Sequence, residues 1–199
     1  VLFQCINDMD FKRVRDHAIA LAEAATLAGI PVITTASVPQ GPNGPLIPEI
    51  HQAAPHAVYV PRRGEINSWD CPAFVEAVKK TGRKTLIIAG TVTSVCLAFP
   101  AISAVRDGYK VFALPDASGT YSKMAEEISL ARMVQAGVIP MDTSSAIAEI
   151  QQTWHRDDWE KWANIWARIF TNYGLLLESY AKAVEVTKTG EPMDSLRED

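Results

Sequence analysis

Short runs of branched and apolar residues alternate along this chain with stretches in which apolar side chains recur every three or four positions. A period near two suits a strand and one near 3.6 a helix, so the pattern predicts strands and helices in alternation. The first stretch is helical: Asp10 can cap residues 11–27, Val14, Ile19, Leu21 and Ala25 share a face, and Gly29 ends it. Strands are predicted at 31–35, 57–60, 85–89, 110–115 and 138–141, with helices at 47–54, 71–80, 122–135 and 143–153. Connections of only a few residues favour one parallel sheet with helices on both faces. The expected fold class is therefore α/β: three α/β/α layers around a mostly parallel, Rossmann-like sheet.

Two regions depart from this rhythm. The leading run at 1–5 gives way at once to polar residues and then to the first helix, whereas an α/β domain leads with a strand; we expect the chain to begin beyond its first strand. At the other end Trp159, Trp162, Trp166, Phe170 and Tyr173 form one aromatic stripe on a helix that follows a complete sheet. This marks residues 155–185 as an appended helical tail, with fraying expected from Lys188 onward. The loop at 38–45, dense in Gly and Pro, reads as a lid or a subunit contact.

At 199 residues and 48% hydrophobic content, the chain is large enough to bury a substantial core as one domain over residues 1–199. A formal charge of −4 gives no electrostatic reason to expect nucleic acid or an anionic membrane as partner, which leaves small molecules and proteins. Cysteines at 5, 71 and 96 form no zinc-like spacing, and their odd number argues against a disulfide framework, so a reducing cytoplasm is the expected location. Histidines at 17, 51, 56 and 155 are scattered, so no metal is expected, and no cofactor fingerprint is present.

The stretch at 84–106 carries the candidate chemistry. A strand ends at Gly90, Thr93 can cap the following helix, and Cys96 then lies in the first turn, where the helix dipole favours a thiolate. A thiolate so placed can attack a carbonyl carbon. Buried packing of an inert thiol is the competing reading, and from this segment alone it is preferred. The loop at 61–70 brings Arg62, Arg63, Asn67 and Trp69 to the end of a strand; taken alone it reads as a solvated loop. Asp116, ahead of Ala-Ser-Gly, is a candidate acid or, more simply, a turn cap.

Taken together, Gly-Pro-Asn-Gly-Pro-Leu at 41–46, Arg-Gly-Glu-Ile-Asn-Ser-Trp-Asp at 63–70, Ile-Ile-Ala-Gly-Thr-Val-Thr-Ser-Val-Cys at 87–96 with Phe99-Pro100-Ala101, and Asp-Ala-Ser-Gly-Thr at 116–120 resemble the isochorismatase-like cysteine hydrolases of the YcaC-like branch. The resemblance implies the isochorismatase-like fold and a catalytic triad of Asp, cation and Cys. Cys96 matches the nucleophile and Arg62 the cation, with Arg63 the less favoured register. The triad Asp, which the family carries at the end of its first strand, is not in this sequence; Asp8, Asp10 and Asp16 are no substitutes. The resemblance further implies an oxyanion held by the backbone amides of Val92 and Cys96 beside a cis Thr91–Val92 peptide, substrate contacts at Asn67 and Trp69, and hydrolysis of an amide-like C–N bond through a thioester. It also implies self-association, often as octamers. A relative that cleaves a vinyl ether without a thiol is disfavoured by Cys96, whereas an assembly protein with a decayed site stays open.

Overall fold

The computed structural model describes residues 10–190; the leading run with Cys5 and Asp8 lies outside them. Helix α1 (Phe11–Leu27) starts where the Asp10 carboxylate accepts the Lys12 amide at 3.0 Å, and ends at Gly29, whose φ of +62° a side chain would resist. There follow β1 (Ile33–Ser37), α2 (Pro48–Ala53), β2 (Val58–Arg62), α3 (Pro72–Lys80) and β3 (Thr85–Ile88). After a special turn come α4 (Ala98–Arg106), β4 (Lys110–Ala113), α5 (Lys123–Gln135), β5 (Ile139–Pro140), α6 (Thr143–Gln151), α7 (Trp159–Ile169) and α8 (Thr171–Thr189). The alternation predicts every one of these strands, and β1 and β2 each run two residues further than the apolar pattern suggests because their ladder continues to Ser37 and Arg62. No helix among the described residues is long and apolar enough to cross a membrane.

All strand pairs are parallel, but they form two ladders, β1–β2 and β3–β4–β5, instead of the single sheet expected. One edge of β1 and one edge of β3 have no strand partner among the described residues. Between these edges lies a cavity of about 710 Å³, lined by all of β1, by Thr85 to Ala89, and by Leu21 and Ala25 of α1. Helices cover both faces. On one side α3, α4 and α5 pack Val78, Leu97, Ala101 and Met133 against Val111 and Ala113 of β4. On the other side α1, α6 and α7 enclose Ala20, Ala24, Ile147, Trp162 and Ile165.

The aromatic tail corrects the expectation of one continuous helix. Phe170 takes an extended conformation (φ −121°, ψ 94°) that ends α7 and starts α8. Trp162 is fully buried, its indole N–H donating to Asp158 at 3.2 Å, and Trp166 donates to the Gln151 side chain at 2.6 Å. Trp162 and Trp166 of the stripe therefore pack on their own domain, whereas Trp159, which begins it, is exposed. In contrast, α8 buries none of its side chains and leaves Leu175, Leu176 and Tyr180 exposed.

Candidate active site

The site sits where β2 and β3 end. Cys96 and Arg62 both border the cavity between the ladders. After β3 the chain makes a cis peptide at Thr91–Val92, as the resemblance implies, and then a five-residue π-helical turn, Thr93–Leu97, that carries Cys96. Such wide turns break regular helical hydrogen bonding and recur at functional sites. Here the Val92 carbonyl accepts the amides of Val95 at 3.1 Å, Cys96 at 2.8 Å and Leu97 at 3.4 Å. Gly90 is the residue that lets this turn close. A Cβ at that position would lie 2.7 Å from the Cys96 carbonyl oxygen and 2.9 Å from its carbonyl carbon, which no side chain tolerates.

Three expectations about this turn change. Thr93 is not the cap: Val92 holds that position, and the Thr93 amide and hydroxyl both donate to the Gly119 carbonyl, at 2.8 and 2.9 Å, tying the turn to the loop after β4. The Thr91 hydroxyl makes a second tie, to the Ser118 carbonyl. The Cys96 amide, expected to help hold an oxyanion, is engaged by Val92. The thiol is also not activated by its turn alone. Burial pushes Cys96 above the ordinary cysteine range; the Arg62 charge and a hydrogen bond with the Val92 backbone act against this without cancelling it.

Arg62 points inward and is 7% exposed, while its neighbour Arg63 is exposed. The Arg62 guanidinium donates to the Thr35 hydroxyl at 3.0 Å, to the Ile66 carbonyl at 3.1 Å and to the Glu65 carbonyl. All three acceptors are neutral, and no carboxylate pairs with it among the described residues. The adjoining 38–45 loop borders the same cavity through Asn43 and Pro45, and Val38 at its start holds a φ of +47° while its amide donates to the Arg62 carbonyl at 3.3 Å.

The two residues expected at the substrate divide. Trp69 lines the cavity; its indole N–H is fixed by Asp107 at 2.8 Å and its ring meets Phe74 and Tyr109 edge-on. Asn67 does not reach the cavity. Its side chain accepts the Trp69 amide at 3.0 Å and donates to Ser103 at 3.1 Å, so it positions the Trp69 turn. Asp116 is no free acid either: it accepts from His17 at 3.0 Å and from the Thr143 amide and hydroxyl at 2.9 and 2.8 Å, stapling α1 to the start of α6. Burial would raise its pKa, but these donors leave the carboxyl below its ordinary value. Sequence reasoning missed Thr35, which sits in a strand and faces Arg62 only because β1 and β2 pair in this register. Among the described residues no three His, Cys, Asp or Glu side chains cluster as metal ligands would.

Comparison with known proteins agrees with this architecture. The Isochorismatase domain family matches residues 4–145. The chain is 40% identical to the probable hydrolase YcaC of Escherichia coli over 179 residues, which are 90% of this chain and 86% of the relative. The crystal structure of Escherichia coli YcaC, reported as an octameric hydrolase of unknown specificity, superposes with a TM-score of 0.86 at 40% identity, covering 92% of this chain and 89% of that one. YcaC from Pseudomonas aeruginosa, solved with hexane-2,5-diol and covalent acrylamide, gives the same TM-score and identity over 90% and 89% of the two chains. Domain match, identity and shared fold together make this chain a YcaC-like member of the isochorismatase family of hydrolases.

Proposed function

We propose that the chain is a cysteine hydrolase that cleaves an amide-like C–N bond of a small molecule through a thioester. The reading is carried by Cys96 and Arg62, which border one cavity in which the buried guanidinium meets no carboxylate among the described residues. A buried cation left without an anion is costly, so this cavity favours an incoming carboxylate. In this reading the first strand that the family resemblance implies lies between β1 and β3, pairs with both open edges, and delivers the triad Asp beside Arg62. Neighbouring strands lie about 4.8 Å apart, so one strand bridges two edges about 10 Å apart.

The Asp carboxylate takes the thiol proton, and Arg62 keeps that carboxylate ionised and oriented. The thiolate forms a C–S bond to the carbonyl carbon while the oxyanion turns to the Val92 amide. Collapse breaks the C–N bond, and the proton on Asp passes to the leaving amine. Water, deprotonated by the same carboxylate, then attacks the thioester, releases a carboxylic acid and restores the thiol. Trp69 gives the substrate an apolar wall, and Asn67 acts through it. Acrylamide is an electrophile that thiolates attack, so its covalent presence in the Pseudomonas aeruginosa relative supports a reactive nucleophile in this fold. The chain acts on small molecules in the cytoplasm, where thiols stay reduced.

The test is turnover on a panel of small amides. Cys96→Ala is expected to lower it by about 10³-fold or more with an unchanged thermal midpoint, because only the attacking atom is lost. Near-normal turnover by that variant would sink the assignment. One observation favours a second reading, an assembly protein with a decayed site: the Cys96 thiol lies above its ordinary range. In that case Cys96 reacts with iodoacetamide at neutral pH no faster than the buried Cys71. Under either reading the chain self-associates through α8 and the 38–45 loop, as the octameric Escherichia coli relative does by some route. Light scattering at 21.8 kDa, the single-chain mass, would end that part.

A further inference from the structure

Helix α5 carries apolar side chains on two opposite sides. Met133 is fully buried on its inner side. On the outer side Met124 and Ile128, one turn apart, are 70% and 62% exposed, and Tyr121, just ahead of the helix, is 51% exposed. A contiguous apolar strip on a surface marks a contact. Lys123 and Glu127 pair at 3.8 Å along one margin of this strip.

The order of these residues is self-complementary. Tyr121 and Ile128 are equally far along the chain from a point beside Met124, and Lys123 and Glu127 are equally far from Ala125, the next residue. We infer that α5 packs antiparallel against α5 of a second copy, about a two-fold axis beside Met124. Rotation about that axis sets Met124 against its own counterpart and Tyr121 against Ile128 of the second copy. Lys123 and Glu127 then exchange their bond within one helix for two bonds between copies. A two-fold contact uses one surface patch twice, so opposite charges must be arranged about a centre, and here they are. A different protein would have to reproduce that order independently.

The contact has a consequence for the site. Gly119 and Ser118, just ahead of Tyr121, supply the carbonyls that hold Thr93 and Thr91 of the nucleophile turn. A second copy seated on Tyr121 and Met124 braces this segment from outside. It is also a different surface from α8, which packs on α7 in the other helical layer, whereas α5 packs on α4.

Sedimentation velocity of the whole chain tests the contact. Met124→Asp is expected to lower the assembled mass at least twofold, Glu127→Lys to lower it through repulsion by Lys123 of the second copy, and the Lys123→Glu/Glu127→Lys double reversal to restore it. Circular dichroism checks the fold, and the charge-reversal series decides the matter if Met124→Asp does not fold. Parental mass for both single variants overturns the inference, and so does a double reversal that fails to restore mass after the single one has lowered it. Leu176→Asp separates this contact from the tail. If only that variant dissociates, the α5 contact is wrong and the tail contact stands. If only the α5 variants dissociate, the tail contact is the one that fails.

Discussion

Asp116 and Arg62 are both withdrawn from solvent, and both stand at the C-terminal end of a parallel strand, β4 and β2. Their surroundings are opposite. Asp116 has donors on both oxygens, one of them from His17. Among the described residues Arg62 has only neutral oxygens from Thr35, Glu65 and Ile66, and it borders the cavity between the two ladders. Read from local sequence alone, without the family resemblance, each is a charged residue in a turn-rich loop after a strand. What separates them among the described residues is saturation: a charge paired by its neighbours holds the fold together, and one that meets only neutral acceptors has interaction energy left for a further partner.

That contrast can be broken in graded steps, each read at Cys96. The largest effect is expected from Gly90→Ala, since its Cβ would force the Cys96 carbonyl to move. Displacing a nucleophile by a fraction of an ångström to one ångström costs on the order of 10²-fold in turnover, and mass spectrometry should show slower alkylation of the Cys96 peptide. Normal alkylation in that variant would mean that the turn has slack. Next comes Arg62→Ala. It removes the charge that restrains the thiol, so the pH profile of alkylation should move upward and the rate near pH 8 fall. Arg62→Lys should retain part of the rate because position 62 requires a cation and not a planar fork; a Lys variant as slow as Ala would contradict this.

The smallest effect at Cys96 is expected from Asp116→Ala, which should leave alkylation unchanged and act on stability instead. Leaving His17 and the Thr143 amide without their acceptor costs about 2–3 kcal/mol in urea unfolding at neutral pH. The pH sign follows from the lowered carboxyl. The stabilisation is present in full above the ordinary Asp value of about 3.9, and is lost as pH falls through the lower native value. The gap between parent and variant should therefore close on acidification. A gap that widens toward acid would mean that the carboxyl is not held ionised by its neighbours.

Local periodicity carries much of the fold. Asp10 and Gly29 bracket α1 as expected, and every strand lies where the apolar runs put it. Features fixed by contacts distant in sequence were not legible. Thr93 has the chemistry of a cap, but its hydroxyl is claimed by Gly119, 26 residues on. The dipole argument for a more acidic Cys96 is local, whereas the burial that overrides it is tertiary. Asn67 and Trp69 look alike as loop residues until hydrogen bonds to Ser103 and Asp107 show which one supports and which one faces the cavity. The break at Phe170 leaves no mark on the aromatic spacing, because α7 and α8 both continue a helical repeat.

The close contact between Gly90 and residue 96 is made by the Cys96 carbonyl group, with the Cβ that every residue but glycine shares lying just beyond it. It does not depend on which side chain residue 96 carries. The turn is thus a socket, and the nucleophile is an exchangeable fitting within it. Replacing sulfur by oxygen through Cys96→Ser would alter the attacking atom while the path of the backbone stays as it is, whereas any residue other than glycine at 90 would alter the path and displace an unchanged sulfur. Selection or design working on this site can therefore retune its reactivity at position 96 freely, provided that position 90 never gains a carbon.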